Sequence, residues 1–366
     1  MSEASGIGPR ILIAAGGTGG HLYPALAVAD RCRALDPSAM IRFVGAAGRL
    51  EAEVVPRFGY EVDLLWISGF DRGNLMRNVG LPLKLVRSLM QAQAIVRRFR
   101  PDIIVCAGAY VSWPVGRVAI AKRIPLLLME SNALPGRVIK GLASKAVEVH
   151  AAFEEARAAL PGATVIVSGN PVRRSLHEPG DQAEARRFFG LDPDRPTIMA
   201  VGGSQGARSI NRALDKGSDA IIESGAQLIW QTGRGYEGEE VSERHLFRAR
   251  YLHDIDKAFT AADLVVARAG ATTIAELRAI GRPSILVPLP TAADDHQTVN
   301  AKAMVDAGAS RMILDSRLDE ELLPAIASLM NSAETLESMS SAAARLAVLD
   351  ADDRIARRIL AIASRS

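Results

Sequence analysis

Cysteine is scarce in this sequence: 366 residues hold two, Cys32 and Cys106. Two thiols exclude a disulfide framework and a four-thiolate zinc site. They fit a reducing, cytoplasmic setting. Aromatic residues make up 5% of the chain, too few for a surface on which bases stack. An excess of charge of one sign is also missing. Lys plus Arg number 44 against 41 Asp plus Glu, a net charge of +3, so no nucleic-acid partner is expected. Long apolar runs are absent as well. A spanning helix needs about 18 or more apolar residues, and the uncharged stretch Ala158 to Val172 is broken by Pro161, Gly162, Gly169 and Pro171. Met1 to Arg10 holds Glu3 and two glycines, with no basic region ahead of a long apolar segment. No signal peptide is expected.

What remains is ordinary globular material, 48% hydrophobic and 23% charged, which excludes wholesale disorder. At roughly 150 residues per domain the length predicts about two domains, each large enough for its own core. Short apolar runs recur, each followed by a helical pattern. Ile11–Ala15, Ile41–Val44, Val62–Ile67, Asp102–Cys106, Leu126–Met129 and Val147–His150 form a first series. Thr197–Val201, Gln227–Trp230, Ala249–Leu252, Leu264–Ala267, Ser284–Leu289 and Arg311–Leu314 form a second. Continuous rather than alternating runs fit strands buried on both faces. Their alternation with helices predicts an α/β chain with two doubly wound parallel sheets. Glycine, proline and charge cluster near Gly169–Pro179, where the boundary is expected. The organisation predicted is residues 1–172, residues 173–340, and a helical tail over 341–366 able to pack back on the first domain.

Each series opens the same way. Gly16-Gly17-Thr18-Gly19-Gly20 follows the first strand of one, and Gly202-Gly203-Ser204-Gln205-Gly206 that of the other. Glycines there let backbone N–H groups approach a ligand, and the helix that follows favours an anion. Neither loop is a standard fingerprint. His21 and Leu22 stand where a phosphate-loop NTPase needs Lys and Ser/Thr, and Leu22 stands where a dinucleotide fingerprint needs glycine. The plainer reading of either loop is a tight βα turn that binds nothing. In doubly wound folds ligands sit at the carboxyl ends of the strands, so facing lobes would create a cleft.

Two further segments carry candidate chemistry. In Gly270–Glu276, Thr272 or Thr273 is a plausible N-cap and Glu276 is expected in the first turn. There its carboxylate either complements the helix dipole or accepts ribose hydroxyls. In the polar loop after Pro288, Gln297 and Asn300 donate and accept at once, which suits sugar hydroxyls or helix capping.

Four motifs in order resemble the MurG family of bacterial N-acetylglucosaminyltransferases: Gly16–Ala27, Gly169-Asn170-Pro171-Val172-Arg173, Gly202–Ala207 and Gly270–Glu276. The resemblance spans nearly the whole chain. It implies a GT-B fold with two Rossmann-like domains facing a cleft. It implies UDP-N-acetylglucosamine as donor, bound mostly by the C-terminal domain. The acceptor it implies is lipid I, undecaprenyl-pyrophosphoryl-MurNAc-pentapeptide, on the N-terminal domain. The product would be lipid II for peptidoglycan, hence roles in cell shape and division alongside other cell-wall synthesis proteins. Thr18, Gly19, Gly20, Asn132, Arg173, Ser204, Leu252, Ala271, Thr272, Thr273, Ile274, Ala275, Glu276 and Gln297 fall on donor-binding positions. Glu276 matches the ribose-binding carboxylate, and Leu252 would meet uracil through backbone atoms. No metal and no cofactor is expected. The chain departs from the family at Met129-Glu130-Ser131-Asn132, where His-Glu-Gln-Asn is common, and at Gly108-Ala109-Tyr110, where Gly-Gly-Tyr is common. The loop Thr291–His296 also lacks the usual glutamines.

The implied reaction is one inverting displacement. Charge growing on the diphosphate would be met by prearranged N–H donors and Arg173. His21 is the candidate general base, since an ordinary imidazole is largely neutral at cytosolic pH. Glu130 is a rival, and His21 also reads as a simple helix-start residue. Arg72 to Arg100 holds seven basic residues and no acid, interleaved with Leu81, Leu85, Val86, Leu89 and Met90. This stretch reads as a solvated amphipathic helix or as a patch for an anionic membrane surface. The second reading places the protein peripherally on the cytoplasmic face of the inner membrane. A UDP-N-acetylglucosamine 2-epimerase and a non-catalytic nucleotide-sugar scaffold are the alternatives.

Overall fold

The computed structural model describes residues 8–69, 79–203, 205–292 and 295–365. It divides into two compact units. The first comprises the described residues up to Pro171 and those from Asp350 on, and the second those of Val172–Leu349.

In the first unit the elements run β1 Arg10–Ala14, α1 Gly19–Leu35, β2 Met40–Ala46, α2 Leu50–Arg57, β3 Glu61–Leu65, α3 Leu81–Phe99 and β4 Ile103–Cys106. Then come α4 Ser112–Lys122, β5 Leu126–Glu130, α5 Arg137–Leu142, β6 Glu148–Ala151, α6 Glu155–Ala158 and β7 Val165–Val167. The seven strands pair in parallel in the order β3-β2-β1-β4-β5-β6-β7. Ile11, Leu12, Ile13, Ile103, Ile104 and Val105 are all fully buried. Burial on both faces explains runs without alternation, and each such side chain is worth about 1.5–3 kcal/mol.

The second unit runs α7 Gln182–Phe188, β8 Thr197–Val201, α8 Arg208–Glu223, β9 Gln227–Gln231, β10 Val241–Glu243, β11 Leu246–Ala249, α9 Ile255–Ala261 and β12 Leu264–Arg268. It continues with α10 Ala271–Ile280, β13 Ser284–Val287, α11 His296–Asp306, β14 Ser310–Met312, α12 Leu318–Met330 and α13 Ala333–Arg345. Its sheet order is β10-β11-β9-β8-β12-β13-β14, with β10 alone antiparallel. In each sheet the strand order reverses beside the strand that opens the series, β1 or β8. Both glycine loops therefore lie at a switch point, on the carboxyl edge where α/β sheets bind ligands.

Local details differ from the sequence reading. The strand expected over Ala249–Leu252 lies at Leu246–Ala249, because its pairing with β9 (Leu246 opposite Leu228, Ala249 opposite Gln231) sets the register. β7 and β10 are too short and too polar in their surroundings to stand out. The expected tail also divides. α13 stays with the second unit, where Ser340 Oγ donates to Gly281 O at 2.7 Å. The final helix, α14 Ala351–Ala363, belongs to the first unit. It buries Ala351, Ile355, Ala356, Ile359 and Ala363 and is tied down by Arg31 Nε to Asp353 at 2.6 Å and Arg358 Nε to Glu148 at 3.0 Å.

Candidate functional site

The first glycine loop rests on a carboxylate that the sequence reading missed. Glu51, in the first turn of α2, is fully buried. It accepts from Gly17 N at 3.2 Å and Ala46 N at 2.9 Å. A Cβ at Gly16 would stand 2.1 Å from its Oε1, and one at Gly45 would stand 2.3 Å from its Cγ. Those two glycines exist to admit Glu51. A first-turn acid ordinarily signals dipole complementation, but the pairing of Glu51 with glycines at two strand ends is the sign of an inward one.

His21 is the third residue of α1. Its ring edge lies against Gly108, where a Cβ would come within 3.0 Å of Cε1 and Nδ1. Nδ1 is buried and has no hydrogen-bond partner among the described residues. Burial lowers the imidazole below its ordinary range, while the charge of Glu130 and the backbone of Ala107 pull the other way. Desolvation dominates, so the ring is held neutral. Glu130 ends β5 and is 4% exposed. Its carboxylate accepts from Asn132 N at 2.8 Å, Asn132 Nδ2 at 3.0 Å and Gly136 N at 2.9 Å. With three donors in place, it shapes the turn that carries Asn132. The structure thus brings Thr18, Gly19, Gly20, His21, Glu130 and Asn132 to one edge of the first sheet. Thr18 is exposed and its side chain makes no cap. Ala109, where the family commonly has glycine, holds a left-handed backbone with φ of 58°.

In the second unit, Gly202–Gly206 is pressed on the turn after β9. A Cβ at Gly206 would stand 2.1 Å from Thr232 O. Asn211 Nδ2 donates to Thr232 O at 2.8 Å, and Trp230 Nε1 donates to Asn211 Oδ1 at 3.1 Å. Ser204 lies outside the described residues. Gln231, also missed in the sequence, donates from Nε2 to Gly203 O at 3.0 Å and accepts Leu252 N at 2.9 Å. Leu252 has therefore committed its N–H, so its carbonyl is the backbone group it can offer a base.

α10 starts two or three residues earlier than a cap at Thr272 or Thr273 requires. Gly270 is its N-cap, with an extended backbone, and neither threonine caps. Ala271, Thr272, Thr273, Ile274 and Ala275 are its first five residues. Glu276 is the sixth, past the first turn and 6% exposed. Dipole complementation is thereby removed as its explanation, since that effect is confined to the first turn. Burial raises its carboxyl to about 7, against the charge of Arg173, which lowers it; Asp256 adds to the rise. Arg173 is thus close enough for its charge to be felt at Glu276. Gln297 Oε1 accepts Leu289 N at 3.0 Å, which ties the start of α11 to the loop after β13. Asn300 is buried and donates to Ala269 O at 3.1 Å, so it braces the loop after β12 and caps nothing.

A chain of Ser168, His150 and Glu148 mimics a nucleophile relay: Nδ1 to Ser168 Oγ is 2.6 Å and Nε2 to Glu148 is 3.2 Å. Ser168 is 1% exposed and Glu148 also binds Arg358, so the chain secures α14. The cavity beside α7 and α9 is lined by Glu178, Asp181, Glu184 and Asp256 against a single base, Lys257, a net charge wrong for a nucleotide diphosphate.

The glycosyltransferase family 28 N-terminal domain matches residues 11–151, and the family 28 C-terminal domain matches residues 197–355. A UDP-N-acetylglucosamine–N-acetylmuramyl-(pentapeptide) pyrophosphoryl-undecaprenol N-acetylglucosamine transferase of Parabacteroides distasonis is 40% identical over 96% of this chain and 98% of its own. The chain belongs to the MurG family of these transferases. The crystal structure of Acinetobacter baumannii MurG superposes with a TM-score of 0.68 at 26% identity, covering 96% of this chain and 99% of that one. A UDP-GlcNAc 2-epimerase of Neisseria meningitidis, bound to UDP-GlcNAc, gives a TM-score of 0.66 at 14% identity over 96% of this chain and 100% of that one. That likeness shows the shared fold alone. The GT-B expectation holds, and the MurG family membership favours the transferase over the epimerase.

α3 presents a surface of its own. Leu83, Val86 and Met90 are 65%, 58% and 66% exposed, and Val79, just before the helix, is 76% exposed. Of the residues named in the sequence reading, Val86 and Met90 lie on this face, whereas Leu85 and Leu89 pack on the core. Lys84 and Arg87 stack on Trp66, itself 40% exposed. Arg72 and Arg77 lie outside the described residues. No described helix is long and apolar enough to cross a membrane.

Proposed function

We propose that the protein transfers N-acetylglucosamine from UDP-N-acetylglucosamine to the 4-hydroxyl of MurNAc in lipid I, with inversion, yielding lipid II. The full-length 40% likeness to transferases named for that reaction carries the reading. The charges of the two edges support it. The second unit holds the donor. Leu252 faces the base, Glu276 takes the ribose hydroxyls, and the N-termini of α8 and α10 with Arg173 meet the growing diphosphate charge. Ser204 and Gln297 complete the donor contacts, and the α1 start with Thr18, Gly19 and Gly20 adds diphosphate donors. The first unit holds the acceptor. His21, kept neutral by burial, accepts the hydroxyl proton as the new glycosidic bond forms and the bond to UDP breaks. Glu130 positions Asn132 and steadies the imidazolium by its charge.

The protein works as a peripheral protein on the cytoplasmic face of the inner membrane. The exposed stripe on α3, with Lys84 and Arg87 beside it, enters the interface of an anionic bilayer. The test is UDP release with a soluble lipid I analogue, with and without the analogue. Acceptor-dependent release is expected. Release without acceptor indicates the epimerase or a hydrolase, and donor binding with no turnover indicates the scaffold.

A further inference from the structure

We propose that Gln231 is a positioning residue that locks the phosphate-facing and base-facing parts of the donor site into one register. The inference deepens the donor assignment above and rests on it. Three segments meet at the carboxyl edge of the second sheet: the Gly202–Gly206 loop after β8, the turn after β9, and Arg250–Leu252 after β11. Gln231 is the last residue of β9, between the other two strands, and is 2% exposed. Its amide reaches both ways, to Gly203 O at 3.0 Å and from Leu252 N at 2.9 Å.

A neutral amide makes that pair of bonds, and an ionised carboxylate does not. One end must donate to a carbonyl and the other must accept from an N–H. Glutamate offers two acceptors, and methionine of similar length offers neither. The bond to Gly203 turns a carbonyl inward and removes a partial negative charge from a loop meant for a diphosphate. The bond from Leu252 fixes the Tyr251–Leu252 peptide plane, because that unit is planar. Gly233 N to Arg250 O at 3.0 Å and Thr232 N to Ala249 O at 3.0 Å stiffen the same junction. A nucleoside diphosphate that spans both segments then meets them at a preset separation, and preorganisation of this kind raises affinity.

The experiment compares Gln231→Met and Gln231→Glu with wild type by titration of UDP and of uridine, and by donor kinetics. Gln231→Met is expected to weaken both ligands at least tenfold. Gln231→Glu keeps the Leu252 bond but sets a carboxylate against Gly203 O, so it weakens UDP at least tenfold and uridine less than threefold. KM for the donor rises accordingly, while kcat at saturating donor stays within threefold. A purely structural residue would lower the melting temperature and leave KM unchanged, which overturns the proposal. So does UDP binding within twofold of wild type in both variants. Should neither variant fold, amide exchange of Leu252 in the wild type decides: protection supports the proposal, and exchange at the rate of an exposed amide overturns it. If the wild type binds no UDP, it is the donor assignment that fails.

Discussion

The two units share one design, a seven-stranded sheet whose glycine loop follows the strand at the switch point. They differ in what lies behind the loop. Glu51 backs the first and takes the Gly17 N–H. The amides of Gln231 and Asn211 back the second. A buried carboxylate beside a loop opposes an anionic ligand, whereas neutral amides leave the helix field unopposed. On the proposed function, the second edge takes the larger share of the diphosphate, and the first adds a smaller share beside the neutral sugar hydroxyl.

The largest expected effect breaks the first edge chemically. His21→Ala should lower turnover by roughly 10²–10⁴-fold with UDP affinity unchanged; turnover within fivefold of wild type contradicts the base assignment. Because burial lowers the imidazole, the pH profile adds a check. A base works unprotonated, so activity should fall as pH drops, and only below the ordinary histidine value of about 6.5.

Glu51→Ala breaks the same edge structurally. It strands two N–H groups, of Gly17 and Ala46, at a cost of roughly 3 kcal/mol. Denaturant unfolding measures it, and a change under 1 kcal/mol would mean that water replaces the carboxylate. The next variant sharpens the second edge. The carboxyl of Glu276 is raised to about 7, above its unfolded value near 4.5. The folded state therefore holds that proton more tightly, and stability is lost as pH rises from about 4.5 through 7. Glu276→Gln should weaken donor binding yet gain roughly 2–3 kcal/mol of stability at pH 8. A lower melting temperature at pH 8 would show a carboxylate better solvated than its burial implies.

Smaller effects follow. Ala109 sits at φ of 58°, a left-handed conformation that costs a non-glycine residue about 1 kcal/mol. Ala109→Gly should recover about that much; destabilisation would mean that the Ala109 methyl packs productively. Replacing both Leu83 and Met90 by Ser should weaken sedimentation with anionic vesicles, by about 0.8 kcal/mol per buried methylene removed. Unaltered sedimentation would place the membrane contact elsewhere.

The sequence made the parallel sheets, the paired glycine loops and the acid at Glu276 legible, because continuous apolar runs and glycine positions are local signals. It concealed Glu51 and Gln231. A first-turn acid and a polar residue at a strand end look like solvent-facing residues until a tertiary neighbour arrives. The start of α10 was misread for a related reason: Gly270 in extended conformation caps without a side chain. The register of β11 was set by β9, which no local pattern encodes.

The measurement that bears most directly on the difference between the two loops is amide exchange with and without UDP. Strong protection is expected over residues 202–207, 250–252 and 271–276, and weaker protection over residues 16–20. Protection centred on residues 16–20 would contradict that difference.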